Sequence, residues 1–121
     1  MAKIPEFLLR ALYVKGSLKN QDDGFEFQMK NELGPARIVD ARPLTMDRKP
    51  IPLDSCQFIH GAQSASFADV TPETSVLMRK GEAISVRVDG QTLKRGRHVL
   101  GINVIVKDMD QVNFTVSDQV K

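Results

Sequence analysis

Apolar residues in this chain recur with a period of two over most of its length. Phe25, Phe27 and Met29 alternate with Glu26, Gln28 and Lys30, and Ile84, Val86 and Val88 alternate with Ser85, Arg87 and Asp89. Leu100, Ile102, Val104 and Val106 share one face, Val112, Phe114 and Val116 share another, and Leu12, Val14 and Leu18 form a first, looser run. A helix would need apolar residues every third or fourth position; alternation instead puts one face in a core and the other in water, which makes a half-buried strand. The branched side chains of Val, Ile and Thr, 24 residues in all, fit the pleated surface that such strands form.

Turn chemistry cuts the runs at short intervals. Asn20-Gln21-Asp22-Asp23-Gly24 reads as a hairpin loop in which Gly24 supplies a positive φ. Asp47-Arg48-Lys49-Pro50 reads as a tight reversal, with Pro50 and Pro52 keeping the following strand at a sheet edge. Asp89-Gly90 and Asp108-Met109-Asp110 mark two further turns. Seven or eight short strands so punctuated predict an all-β chain, an antiparallel β-sandwich of immunoglobulin-like type. Two stretches depart from the pattern. Residues 4–11 place Phe7, Leu8 and Ala11 at helical spacing behind Pro5, enough for one or two helical turns. Residues 61–73 are small and polar around Phe67 and read as a surface loop carrying at most one short strand.

A length of 121 residues sets one domain, residues 1–121, large enough for a core without staples. Residues 1–11 stand apart as an N-terminal docking segment, because Phe7-Leu8-Leu9 is more apolar than a monomer surface requires. The balance of 17 basic against 15 acidic residues is too even, and seven aromatic residues are too few, for a nucleic-acid surface. No apolar run reaches the roughly 20 residues of a membrane helix. Glu6 and Arg10 interrupt the N-terminal apolar stretch, which therefore does not read as a signal peptide. A single cysteine, Cys56, makes no internal disulfide, so the cytoplasm is the expected compartment.

No group of reactive residues has the spacing of a catalytic or metal site. Cys56 and His60 share a strand face but sit about 13 Å apart along it, too far to bind one metal. They read as a buried thiol and a strand-end histidine. His98 follows Leu93-Lys94-Arg95-Gly96-Arg97 and reads as a polar pin at a corner between strands, since no carboxylate lies near it in sequence. The carboxylate pairs Asp22/Asp23 and Asp108/Asp110 suit turns, and Lys94, Arg95 and Arg97 suit a solvated corner loop. We therefore assign no catalytic, cofactor-binding or metal residue.

The run Val14-Lys15-Gly16-Ser17-Leu18-Lys19-Asn20 followed by Gly24-Phe25-Glu26-Phe27-Gln28-Met29-Lys30 resembles the opening hairpin of the small β subunits of bacterial C-glycoside deglycosidases. Ile51-Pro52-Leu53-Asp54-Ser55-Cys56-Gln57-Phe58-Ile59 and Leu93-Lys94-Arg95-Gly96-Arg97-His98-Val99-Leu100 extend the resemblance over residues 14 to 107. The N-terminal segment is extra and the C-terminal stretch short against that family. The resemblance implies a non-catalytic accessory subunit of a carbon–carbon lyase acting on 3-oxo-C-glycosides. It further implies a hetero-oligomer in which a larger sugar-isomerase-like α subunit holds a manganese-like divalent metal. The alternative is a self-associating structural or ligand-binding β-sandwich with no enzyme partner.

Overall fold

The computed structural model describes residues 5–108 and 111–121. Met109, Asp110 and the first four residues lie outside that range, and with them part of the turn expected at Asp108-Met109-Asp110 and the start of the segment expected to dock. The chain opens with the helix α1 (Glu6–Arg10), then runs through β1 (Lys19–Gln21), β2 (Gly24–Lys30), β3 (Ala36–Ala41), β4 (Thr45–Met46) and β5 (Lys49–Pro50). A 3-10 turn at Leu53–Ser55 leads into β6 (Cys56–His60) and β7 (Gln63–Ser66). A second 3-10 turn, Phe67–Asp69, precedes β8 (Val76–Met78), β9 (Ala83–Val88), β10 (Gly96–Val106) and β11 (Gln111–Val120).

The strands form two antiparallel sheets, as the alternation requires. One has the order β1-β2-β9-β6-β7 and the other β5-β4-β10-β3-β8, with β11 added to β10. The longest ladder is the β10–β11 hairpin, paired from Gly96 with Val120 to Ile105 with Gln111. The opposite side of β10 is shared: Leu100 and Gly101 meet β4, while Val104 to Val106 meet β3 across a bulge. The inward faces of the sheets supply one core, in which Phe25, Phe27, Val86 and Val88 of the first sheet face Leu100, Ile102 and Phe114 of the second. Several pairings are only two or three residues long, which is why the described chain divides into eleven strands of one β-sandwich.

Three local expectations change. Leu12 and Val14 are only half-buried, whereas Tyr13 is buried and bridges to Met29. A turn at Gly16, with φ +86, breaks the first run before the strand begins, so its alternation does not carry through. Gly24 has no positive φ; Asp22 takes the left-handed conformation at φ +54 instead. Gly24 is required for a different reason, since a Cβ there would lie 2.0 Å from the Val88 carbonyl oxygen. The strand after the prolines, β6, is interior, paired with both β7 and β9. The edge strand is Lys49–Pro50 itself, and Pro52 falls where the chain crosses from one sheet to the other.

Other features follow the expectation. Asp47 and Arg48 both take positive φ, +53 and +72, between paired β4 and β5, the backbone signature of a two-residue type I′ hairpin. Residues 61–73 carry the short strand β7, and Phe67 turns inward to stack on Phe58 with ring centroids 4.2 Å apart. α1 lies against β11, where Arg10 Nε donates to the Thr115 carbonyl at 3.0 Å and Leu9 is buried. This blunts the outer edge of the longest hairpin, which would otherwise present a row of unpaired backbone groups. Phe7 remains 69% exposed. No described helix is long and apolar enough to cross a membrane.

Candidate functional site

Between the sheets lies an apolar cavity of about 180 Å³. Strand alternation builds its walls: Phe27 and Met29 of β2, Ile84 and Val86 of β9, Ile38 of β3, and Ile102 and Val104 of β10 all point inward. Leu33, Pro35 and Arg42, the exposed members of its lining, mark where it meets the surface. Asn31 is the buried polar residue of the wall, and its amide is fully used. Its Nδ2 donates to the Gly34 and Met78 carbonyls, and its Oδ1 accepts from the Leu33 amide. Asn31 therefore closes the loop 31–35 over one end of the sandwich. The periodicity of the strands predicts the walls of this cavity, but nothing in the sequence shows that the facing side chains fall short of filling it.

His98 behaves as the expected corner pin, and its ring is held on both sides. Nε2 lies 2.7 Å from the Lys94 carbonyl oxygen and Nδ1 lies 2.7 Å from Asp47 Oδ2. A carbonyl and a carboxylate only accept, so the site is fully satisfied when both ring nitrogens donate, which is the imidazolium form. The Lys94 carbonyl, and then the Asp47 carboxylate, raise the His98 pKa above its usual value. His98 and the Val99 amide in turn hold the Asp47 carboxyl below the usual carboxylate range. The other Asp47 oxygen accepts from the Val99 amide at 2.9 Å. A ring with two donated protons has no lone pair for a base, so this arrangement staples the β4–β5 turn to the start of β10. The carboxylate absent from the neighbouring sequence comes from 51 residues away. Lys94, Arg95 and Arg97 are exposed around this corner, with Arg97 donating to Ser117 Oγ.

Cys56 and His60 occupy opposite ends of β6, as expected. Burial pushes the Cys56 thiol up to about 12, which leaves it neutral and unreactive. His60 Nε2 meets Glu82 Oε2 at 2.7 Å on a partly exposed groove beside β7 and β8. Burial works to raise the Glu82 carboxyl, but His60 and the Arg79 amide outweigh it and hold it below the usual range. No hydroxyl or thiol among the described residues hydrogen-bonds the other His60 nitrogen. No three metal-ligating side chains come together among the described residues. The turn carboxylates do sit in turns: Asp108 takes φ +63, and Asp23 pairs with Arg87 at 3.6 Å. Asp110 lies outside the described residues.

The polar centre that sequence reasoning missed is Asp118. Its carboxylate is only 7% exposed, and its Oδ2 accepts from the Tyr13 hydroxyl at 2.6 Å, the Gly16 amide at 2.8 Å and the Leu18 amide at 3.4 Å. Oδ1 accepts from the Gln119 amide at 2.8 Å. Burial alone would raise this carboxyl, but Tyr13 and the amides together hold it below the usual range, while burial and Asp118 push the Tyr13 hydroxyl far up. A signal was present: Asp118 continues the inward register of Val112, Phe114 and Val116, where an unpaired acid would be costly. Three of its four donors come from 100 or more residues away, which the register does not reveal.

No curated protein matches the chain significantly. Among solved structures, a family 123 glycoside hydrolase from Clostridium perfringens matches at 13% identity with a TM-score of 0.30, over 80% of this chain and 20% of that one. The chain thus spans about a fifth of the length of that hydrolase, and at that TM-score the likeness carries no inference. A family model does match almost the whole chain, residues 8–121, and it is not that of the C-glycoside deglycosidases. This overturns the resemblance to their β subunits. The segments that suggested it prove to be the Gly16 turn, the Gly24 close approach, the crossover at Leu53–Ser55 and the His98 corner. The matching family is that of the hydroxymethylglutaryl-CoA reductase N-terminal domain, and this chain belongs to it.

Proposed function

We propose that this chain is a non-catalytic β-sandwich module that supports a larger catalytic partner, whether on the same polypeptide or on another. One observation carries the reading: His98, Asp118 and Cys56, the reactive side chains with the most perturbed surroundings, are committed to holding the fold together. His98 donates from both nitrogens, Asp118 accepts four hydrogen bonds, and Cys56 is a buried neutral thiol. Exposed apolar residues, by contrast, remain for contact, with Phe7 69%, Leu33 45% and Val99 39% exposed. The family's name describes a domain that accompanies a reductase, a relation of the same kind. The sugar-isomerase-like partner and its divalent metal rested on the overturned resemblance and are not carried forward. A buried, reduced Cys56 fits the cytoplasm as the compartment.

The test is co-expression of the full chain with the product of the adjacent reading frame. A stable complex is expected, weakened by Phe7→Asp, whereas the chain alone should not reduce hydroxymethylglutaryl-CoA. A chain that turned that compound over alone, or that stayed a monomer at high concentration and captured nothing, would overturn the reading. The self-associating alternative is favoured if light scattering instead finds a homo-oligomer that Phe7→Asp dissociates.

A further inference from the structure

We propose that the cavity between the sheets is a binding site for the alkyl tail of a short straight-chain carboxylate, with Arg42 at the rim meeting the head group. The inference is independent of the accessory role. The cavity, at about 180 Å³, slightly exceeds the roughly 150 Å³ apolar cavity that stays dry and accepts benzene. It therefore has room for a tail of about six carbons, the number in that ring. Inside the rim the amide side chains are turned to other partners: the Asn31 amide binds backbone, and Asn103 Oδ1 accepts from Gln111 Nε2 at 2.7 Å. Water needs two to four polar partners to occupy such a space, so this one favours an apolar guest.

The head group follows from the rim. Arg42 is the one charged residue among the described lining of the cavity, and it is exposed. Asp40 holds its Nε at 3.2 Å, which orients the guanidinium, while its terminal nitrogens have no partner among the described residues. Two free donors in a planar fork suit a carboxylate. The tail enters past Leu33 and Pro35, the exposed apolar residues of the lining.

The experiment is a titration of the full chain with straight-chain alkanoates from butanoate to decanoate, followed by methyl NMR. Shifts should concentrate on Leu12, Leu33, Met78 and Ile84 of the cavity wall. Affinity should rise about fourfold per methylene and level off near heptanoate, when the cavity is full. Arg42→Gln should weaken hexanoate about fivefold and leave 1-hexanol unchanged, and Ala36→Leu should abolish binding by filling the entrance. Should Ala36→Leu fail to fold, the chain-length series and Arg42→Gln still decide the matter. Absence of shifts at the cavity methyls overturns the proposal, as does affinity that climbs through decanoate without a plateau, the mark of surface adsorption. Cavity methyls that respond to protein concentration and not to alkanoate overturn it in favour of a second copy's side chain. Equal loss of hexanoate and hexanol in Arg42→Gln overturns the assignment of the head group.

Discussion

Replacing Asp118 with alanine should be among the most damaging single changes in this chain, and the structure sets how damaging. The carboxylate joins the last strand to the N-terminal segment through Tyr13, Gly16 and Leu18. Its loss strands the Tyr13 hydroxyl, which is buried, whereas the exposed Gly16 amide can turn to water and the long Leu18 contact contributes little. One hydrogen bond to a charged acceptor and one orphaned buried hydroxyl together amount to about 3–4 kcal/mol. Set against the 5–15 kcal/mol total typical of a single domain, that leaves a folded but weakened protein. Urea melts followed by circular dichroism should show a lower midpoint with an unchanged slope. Tyr13→Phe removes only the hydroxyl and should cost about 1–2 kcal/mol. The double variant should fall short of the sum by at least 1 kcal/mol, because both changes delete one interaction. The sign with pH is fixed by the lowered Asp118 pKa. The stabilisation is present above the ordinary carboxyl value near 3.8 and fades as pH falls below it through the folded value. The difference between wild type and Asp118→Ala should therefore shrink at acid pH. A cost below 1 kcal/mol at neutral pH, or strict additivity with Tyr13→Phe, would show that Asp118 does not anchor the segment.

Three further outcomes follow from other contacts. His98→Ala should cost about 1–2 kcal/mol in denaturant melts at pH 6, a low figure because Asp47 is 47% exposed and its ion pair is screened. The His98 pKa is raised above 6.5, so that stabilisation is full below pH 6.5 and is lost as pH rises through the folded value. A cost that does not decline toward alkaline pH would refute the imidazolium assignment. Gly24→Ala should destabilise by about 2–3 kcal/mol because its Cβ meets the Val88 backbone, while Gly101→Ala, facing the Thr45 hydroxyl that can rotate, should cost less; the reverse order in thermal melts would contradict the geometry. Since the Tyr13 pKa is raised above 10, the fold should lose stability above pH 10, when the unfolded chain ionises and the buried hydroxyl resists. Tyr13→Phe should remove part of that alkaline slope.

The sequence by itself determined the strands whose side chains alternate without interruption. In β2, β9, β10 and β11 the apolar residues at every second position could bury only as one face of a sheet, and they do. The Asp47-Arg48 reversal and the Asp89-Gly90 turn were legible for the same reason, since their backbone chemistry is local. The candidate cavity was legible only as its walls. What the tertiary structure decided is every relation between distant residues: the crossing that put β6 inside its sheet, the Val88 carbonyl that requires a glycine at position 24, the Asp47 carboxylate that charges His98, and the Tyr13 hydroxyl that lets an acid sit in the core at position 118. Alternation states which face of a strand is buried but not which strand lies opposite it. Partners 51 and 105 residues apart meet only once the sheets have paired, and the unfilled volume between those sheets depends on how the facing side chains pack.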